Sequence, residues 1–393
     1  MRVFVTSAAQ ISSIGISKEE VLASLRSNKS GIIKKGYGVH GEYYVGRVEL
    51  SNHELCERFG VLGGYSRTTL LGIAAIKQML PELFFIREGG GSSCLISGTS
   101  VGGMDYTEAE FKKYLNGQPY NKSVYANHAC GTVTHQVMKN TIEVDMIDTV
   151  STACSSAANA IIAGANHISA GTFDVAIVGG TDSLSEFTVA GFDSLKIYDS
   201  RVCRPFDEDR NGINLGEGAG FLLLESEKSL SVSGNVPVVE LKGWGSVSDA
   251  YHQTASSPDG FGATQAMKRA LDSAGLKPSD ISFINAHGTA TLNNDLTESI
   301  AINNVFGPRI PPFGSTKSFT GHTLAASSGI ESVFSSYSLL DGFLLPNLGY
   351  SSPIDSLGMV PNKEFKEGVE VNHILTNAFG FGGNNTSLIF SKL

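Results

Sequence analysis

The sequence predicts an α/β protein built by duplication, on three observations. Short apolar runs that suit strands alternate with segments that suit helices along the whole chain. Residues 231–237 (SVSGNVP) form a polar break with Gly and Pro, after which the alternation starts again. In each part, one strand-to-helix turn is followed by small residues. We therefore expect two halves, residues 1–235 and 236–393, with a mostly parallel sheet covered by helices.

The first half shows its elements in order. A strand at 3–5 is followed by Ser17–Glu20 (SKEE), which predicts a capping box and a helix. Further strands are expected at 94–96, 147–151 and 175–178. Residues 98–145 make this half longer, and we expect them to form an excursion outside the core.

The second half repeats this order. It predicts a strand at 238–241, a helix at 263–274, a strand at 281–285, a helix at 294–306, a short strand at 313–316 and a helix at 323–340. By this count, the turn at 150–154 corresponds to the turn at 314–317. A pseudo-twofold arrangement would bring the two turns face to face.

Composition excludes several classes of protein. The hydrophobic content of 41% and charged content of 17% are those of a globular protein. A formal charge of −9, without any Lys/Arg-rich run, argues against nucleic-acid binding. No stretch approaches the roughly 18 apolar residues of a membrane span, and the N-terminal MRVFVTSAAQ suits a first strand better than a signal peptide. Five scattered cysteines predict a reduced, cytoplasmic protein without a metal site.

Cys154 is the candidate nucleophile. It lies in 151–164 (STACSSAANAIIAG), where a β-branched run meets an Ala-rich segment that suits a helix. Free N–H groups and the positive end of a helix favour thiolate, the reactive form. A lone buried cysteine is more often a packing residue, so this interpretation depends on the second half. The remaining cysteines are interpreted as packing residues: Cys56, Cys94, Cys130 and Cys203.

The second half supplies candidate partners for this nucleophile. His287 (in NAHGTAT) and His322 (in STKSFTGH, with Lys317) each lie in a Gly-containing turn beyond a predicted strand. Ligands of open α/β sheets gather beyond the carboxyl ends of strands, so these groups are expected to converge on Cys154. The turn after Asn377 (NAFGFGGNN) either forms part of an oxyanion hole or closes a hairpin. The other histidines are interpreted as structural or exposed: His40, His53, His128, His135, His167, His252 and His373.

Taken together, these motifs resemble the β-ketoacyl-acyl-carrier-protein synthases of the thiolase-fold condensing enzymes, most closely the synthase I/II type. Seven motifs occur in family order across essentially the whole chain: GTSVGG (98–103), TACSSA (152–157), RPFDEDRNG (204–212), GEGAG (216–220), NAHGTAT (285–291), STKSFTGH (315–322) and NAFGFGGNN (377–385). The resemblance implies a thiolase-like duplicated five-layer α/β/α/β/α fold. It also implies decarboxylative Claisen condensation of an acyl group with malonyl-acyl carrier protein. It further implies that no cofactor is permanently bound, because substrates arrive on the phosphopantetheine arm of the carrier.

The resemblance also implies a role for each matching residue. Cys154 accepts the acyl chain, and His287 and His322 polarise the malonyl thioester carbonyl during decarboxylation. Two neutral imidazoles that donate N–H groups suit the charge that develops on that oxygen. Lys317 orders the site, and its implied acidic partners are Asp295 and Glu331. Phe381 is a gate whose N–H completes the oxyanion hole with that of Cys154, Phe192 is a second gate, and Thr289 and Thr291 support the site.

The partners and the pathway remain open at this stage. Carrier proteins are acidic, so a basic docking patch is expected; its candidates are Arg67, Lys196, Arg201 and Arg204. We expect a homodimer through the strand and helix that flank Cys154, or a heterodimer with a related ketosynthase-like subunit. Few basic residues follow Ser66, which leaves room for a polyene or polyketide pathway beside fatty acid synthesis. The alternatives are a non-elongating chain-length-type subunit and a coenzyme-A-dependent thiolase-like acyltransferase. The former lacks a nucleophile, and a second cysteine is expected in the latter.

Overall fold

The computed structural model describes residues 1–37, 41–354 and 357–393, so His40 lies outside the described residues. The strands are β1 (Phe4–Ile11), β2 (Ile32–Gly36), β3 (Glu42–Gly46), β4 (Ser93–Gly98), β5 (Met146–Val150), β6 (Val175–Asp182), β7 (Gly218–Glu225), β8 (Val239–Ser248), β9 (Phe283–Asn285), β10 (Phe313–Gly314), β11 (Phe343–Leu344), β12 (Lys366–Glu367), β13 (His373–Gly380) and β14 (Asn384–Ser391). The helices are α1 (Lys18–Arg26), α2 (Asn52–Phe59), α3 (Arg67–Lys77), α4 (Leu80–Arg87), α5 (Met104–Leu115), α6 (Cys130–Asn140), α7 (Ser156–Ser169), α8 (Glu186–Ser194), α9 (Glu227–Ser233), α10 (Phe261–Ala274), α11 (Leu292–Phe306), α12 (Lys317–Thr320) and α13 (Ser327–Asp341). Turns of 3₁₀ helix cover Lys122–Asn127, Pro278–Asp280 and Leu324–Ala326.

The strand order of the main sheet shows the duplication. The order is β10-β9-β13-β14-β8-β1-β7-β6-β4-β5. Read from the two ends, it pairs β5 with β10, β4 with β9, β6 with β13, β7 with β14 and β1 with β8. The two sets of strands join at β1 and β8, where Phe4 pairs with Glu240 and Val5 with Val239. The turns that follow β5 and β10 are therefore equivalent, as the sequence predicted.

Helices separate the two sets of strands into layers. Both α7 and α13 contact strands of the first set and strands of the second, so they form the middle layer. On one outer side, α3 and α6 cover the first set, and on the other side α10 packs on β8, β13 and β14 and is joined by α11. This is the five-layer α/β/α/β/α order. Small residues permit α13 to approach β7 closely, because a Cβ at Gly329 of α13 would lie 2.4 Å from the carbonyl oxygen of Gly220 in β7.

Two details differ from the sequence-based expectations. The sheet is mixed: β4–β5, β4–β6, β9–β10 and β9–β13 are parallel, whereas β1–β7, β6–β7, β13–β14 and β8–β14 are antiparallel. The short turn between β13 and β14 permits only an antiparallel pair. Residues 98–145 are not all an excursion, because Val133 and Val137 of α6 are buried in the same core cluster as α3.

The helix boundaries follow local signals. Ser17 and Glu20 form the predicted capping box of α1. The last long helix begins at Ser327, later than predicted, because a 3₁₀ turn with Leu324 at φ +54° precedes it. We propose that the halves divide at residues 235 and 236, since α9 ends at Ser233 and β8 begins at Val239.

The lengths of the helices bear on whether the chain could span a membrane. Among the described residues, no single helix is long and apolar enough to cross a bilayer. The pair α3 and α4 reaches that length and composition only together, with a bend of 85° between them.

Candidate active site

Cys154 lies between β5 and α7, in a turn that Ala153 makes possible with a φ of +52°. The residue is buried, with 6% of its surface exposed. Burial raises the pKa of the Cys154 thiol to about 11, and the charge of Lys317 and the N–H groups of Phe381 and Cys154 offset this only in part. Burial therefore opposes the thiolate that the helix end is expected to favour, and the ionisation of Cys154 stays a prediction.

The turn between β13 and β14 brings a second N–H to the nucleophile. The backbone N–H groups of Phe381 and Cys154 both act to lower the pKa of the Cys154 thiol. This approach requires glycine at 380, since a Cβ at Gly380 would lie 2.9 Å from the carbonyl oxygen of Thr152. The turn closes a hairpin and also directs an N–H group into the site.

His287 follows β9, and its Nδ1 atom lies close to Lys317. Burial, the charge of Lys317 and the neighbouring His322 lower the pKa of His287 well below its ordinary value, so the ring is neutral. The Lys317 ammonium, which only donates, lies 3.3 Å from Nδ1 of His287. Nδ1 therefore accepts, and the ring proton is on Nε2.

His322 is also a neutral ring with its proton on Nε2, and the contacts of its own turn determine this. The Leu324 N–H donates to Nδ1 of His322 at 3.1 Å, and the Ser327 hydroxyl lies 2.7 Å from the same atom. Burial and Lys317 lower the pKa of His322 well below its ordinary value. Nε2 of His322 thus carries the proton, and it is buried without a hydrogen-bond partner among the described residues. Both rings leave an Nε2–H group free for a ligand.

Cys154, His287 and His322 form a cluster of potential metal ligands. One ligand atom from each lies within 4.8 Å of the other two. A cation would require a lone pair on an imidazole nitrogen, but both Nδ1 atoms accept hydrogen bonds and both Nε2 atoms carry protons. The buried ammonium of Lys317 adds an unfavourable charge. The donor set therefore fits a substrate oxygen better than a metal ion.

Lys317, in α12, links the His287 turn to Glu331 of α13. Its Nζ lies 2.5 Å from Oε1 of Glu331 and 2.6 Å from the carbonyl oxygen of His287. The assignment of Asp295 as a second partner of Lys317 is wrong. Both Asp295 oxygens are used by backbone N–H groups, those of Phe206 at 2.7 Å and of Ala290 at 3.1 Å. Asp295 shapes the turn after His287 instead.

Glu298 is a site residue that sequence reasoning missed. Its two oxygens accept the N–H groups of His287 and Gly288, both at 2.8 Å, and Asn377 donates to one of them at 3.1 Å. Burial raises the pKa of Glu298 to about 7. The available signal was its spacing, since it lies three residues after Asp295 on the same face of α11.

A cavity of about 280 Å³ lies over these groups. Its lining includes Cys154, both histidines, Thr289, Thr291, Phe192, Phe381 and Lys196. The rings of Phe192 and Phe381 stack with centroids 5.9 Å apart and an angle of 17° between their planes. The hydroxyls of Thr289 and Thr291 lie 2.9 Å apart. The gating roles of the two phenylalanines remain predictions.

Arg67 does not fit the predicted docking patch. It is 5% exposed at the start of α3, and its guanidinium donates to Glu217 at 2.7 and 2.9 Å. The prediction of Arg67 as a docking residue is therefore wrong, because the side chain forms a buried ion pair.

The other three candidates differ in exposure. The Arg204 side chain is 18% exposed and is held by Asp207 at 3.6 Å and by the carbonyl oxygen of Asp209. Lys196 and Arg201 are exposed, and of the four candidates Lys196 alone lines the cavity. Lys196 and Arg201 therefore remain as docking candidates.

Sequence comparison identifies the family. Residues 91–229 match the "Beta-ketoacyl synthase, N-terminal domain" and residues 238–351 match the "Beta-ketoacyl synthase, C-terminal domain". The 3-oxoacyl-[acyl-carrier-protein] synthase 2 of Staphylococcus aureus (strain COL) is 34% identical over 310 residues, which are 75% of this chain and 74% of that protein. The synthase of the same name from Synechocystis sp. is 40% identical over 252 residues, 61% of this chain and 60% of that protein. The chain belongs to the β-ketoacyl synthase family.

Solved structures agree with this assignment. The ishigamide ketosynthase/chain length factor superposes with a TM-score of 0.92 at 28% identity, over 100% of this chain and 99% of that chain. A ketosynthase in complex with its chain length factor from Xenorhabdus doucetiae gives a TM-score of 0.88 at 31% identity, over 100% of this chain and 98% of that chain. The fold is therefore the thiolase-like fold of the ketosynthases, as the sequence predicted.

Proposed function

We propose that this chain condenses an acyl group, held as a thioester on Cys154, with malonyl-acyl carrier protein to give 3-oxoacyl-acyl carrier protein. One observation carries this proposal. Two neutral imidazoles with free Nε2–H groups and a sulfur with two backbone N–H groups line one cavity. The family and the acyl-carrier-protein synthases among its relatives support the choice of substrate.

The first step is transfer of the acyl group. The Cys154 sulfur attacks the thioester carbonyl, and the N–H groups of Cys154 and Phe381 are placed to stabilise the resulting oxyanion. The carrier thiol leaves with the proton that Cys154 gives up. Because both histidines present N–H groups and no lone pair to the cavity, we do not assign either as the base for this step.

The second step generates the carbon nucleophile. When the carbon–carbon bond to the malonyl carboxylate breaks, its electron pair moves into the thioester and carbon dioxide leaves. Charge then develops on the thioester oxygen, where the Nε2–H groups of His287 and His322 donate. The carbon attacks the acyl thioester and forms the new carbon–carbon bond, and the sulfur of Cys154 is expelled as a thiolate that takes up a proton from solvent.

The proposal also covers the carrier protein, the dimer partner and the cellular compartment. We propose acyl carrier protein as the donor of both substrates, which arrive on its phosphopantetheine arm, with no permanently bound cofactor. We also propose a homodimer, or a heterodimer with a ketosynthase-like subunit, through β5. This strand ends the main sheet and pairs on one side with β4, so its other edge is open to a partner strand. Fatty acid and polyene or polyketide pathways both fit this chemistry, and the five free cysteines favour the cytoplasm.

Two alternatives have specific observations against them. A chain-length-type subunit lacks the nucleophile, whereas this site holds Cys154 with both histidines. In a thiolase-like acyltransferase we expect a second cysteine as base. Cys203 lies 3.5 Å from the carbonyl oxygen of Lys317, but it does not line the cavity and burial raises its pKa to about 12.

Intact-mass analysis tests the proposal. After incubation with an acyl-carrier thioester, the wild-type chain should gain the mass of one acyl group, and Cys154→Ala should gain none. Cys154→Ala should lose condensation but still release carbon dioxide from malonyl-carrier. Full condensation by Cys154→Ala would show that the nucleophile has been assigned wrongly.

A further inference from the structure

Asp182 is a fully buried carboxylate at the end of β6. It accepts the Thr99 hydroxyl at 2.6 Å and the N–H groups of Ser100 at 3.0 Å and Val101 at 3.2 Å. On the other side, Oδ2 accepts the N–H of Ala325 at 2.8 Å. One carboxylate of the first half therefore holds the 3₁₀ turn that follows His322 in the second half.

That 3₁₀ turn determines which nitrogen of His322 carries the proton. Leu324 has a φ of +54°, a conformation that a non-glycine residue adopts only when its surroundings hold it. In this conformation the Leu324 N–H points to Nδ1 of His322. The Ser327 hydroxyl can donate or accept, so it does not select a tautomer. The N–H of Leu324 can only donate, and it makes Nδ1 the acceptor.

We propose that Asp182 is a positioning residue for His322. By holding the N–H of Ala325, it keeps Leu324 in the left-handed conformation and the ring proton of His322 on Nε2. Asp182 touches neither substrate nor the reacting atoms in this account. The inference rests on the proposed role of His322 as a donor to the malonyl thioester oxygen.

Asp182 is also connected to the turn of the nucleophile, through Ser100. The experiment therefore has to separate an effect on His322 from an effect on Cys154. Ser100, bound by Asp182, has its hydroxyl 3.5 Å from the carbonyl oxygen of Ala153. Thr99→Val removes the Thr99 contact and leaves the Ala325 contact intact. Asp182→Asn replaces one oxygen by a group that donates, so one set of donors loses its acceptor while the shape is kept.

The experiment measures the tautomer and the two half-reactions together. In protein labelled with ¹⁵N-histidine, the signals of His322 are assigned by their loss in His322→Ala. Asp182→Asn should move the His322 signals away from the Nε2–H tautomer and slow carbon dioxide release from malonyl-carrier by about 10- to 100-fold. Acylation of Cys154, followed by mass, should stay within about threefold of wild type. Asp182→Ser, which is small enough for the site, should act in the same direction if the Asn variant does not fold.

Asp105→Asn is the matched control, because burial raises the pKa of both carboxyls, Asp182 and Asp105, to about 6. Asp105 accepts the Arg67 N–H at 2.8 Å and the Ser183 hydroxyl at 3.2 Å, and neither partner belongs to the His322 turn. Asp105→Asn and Thr99→Val should leave the His322 signals unchanged. Unchanged His322 signals in the folded Asp182 variants would overturn the inference, even if both half-reactions were slowed equally. If His322→Ala itself releases carbon dioxide normally, the proposed function fails, and the tautomer measurement still decides the role of Asp182.

Discussion

The reactivity of Cys154 should rise with pH over the whole accessible range. Burial raises the pKa of its thiol to about 11, so at pH 7 about one molecule in 10⁴ carries the thiolate. An exposed cysteine of pKa about 8.5 carries the thiolate in about 3% of molecules at pH 7, roughly 300 times more. Because the thiolate is the reactive form, alkylation of Cys154 should increase about tenfold per pH unit, or about 100-fold between pH 7 and pH 9.

Iodoacetamide labelling followed by intact-mass analysis measures this dependence. Cys154→Ala is the control, because it reports the labelling of the partly exposed Cys56 and Cys130. A rate that levels off near pH 8 would refute the reasoning. It would mean that the helix end and the two N–H groups outweigh burial.

Four further predictions concern Lys317, Glu298, Arg67 and Lys196. Lys317→Met should slow acylation and decarboxylation by at least tenfold each, since Lys317 lowers the pKa of Cys154 and holds His287. The acylation and decarboxylation assays measure this effect, and a loss in one assay alone would contradict the prediction. Glu298→Gln should lower the free energy of unfolding by about 1–3 kcal/mol in urea titrations, because one N–H of the 287–288 turn loses its acceptor; an unchanged midpoint would contradict that role. Arg67→Ala should cost about 3–5 kcal/mol of stability by removing the close, buried partner of Glu217, which then has Arg47 at 3.9 Å as its ion-pair partner, without a change in the KM for carrier. Lys196→Glu should raise that KM without loss of stability, and the opposite pattern in the two variants would restore Arg67 to the docking patch.

The convergence of the chemical groups was predictable from the sequence. Cys154 and Lys317 follow equivalent strands of the two halves, and His287 follows the neighbouring β9. Since the carboxyl ends of these strands meet, the order of elements was enough to bring the groups together. The five-layer arrangement came from the motifs of the family rather than from the alternation of elements.

Other features depend on contacts that spacing does not encode. Arg67 begins an apolar helix, and its partner Glu217 lies 150 positions away, so its burial had no local signal. Asp295 and Glu331 are both acids near Lys317 in sequence, and only the packing shows that backbone N–H groups occupy Asp295. The pKa of Cys154 is a balance between burial and nearby donors, which requires the depth of the site.

Carbon dioxide release by the two histidine variants tests the central claim most directly. His287→Ala and His322→Ala should each release carbon dioxide from malonyl-carrier about 100- to 1000-fold more slowly, the usual effect of losing one oxyanion donor. In the same variants Cys154 should still accept an acyl group, at least slowly, because neither ring presents a lone pair to its thiol. A variant that loses acylation completely but releases carbon dioxide at the wild-type rate would identify that histidine as the base for Cys154 and contradict the account.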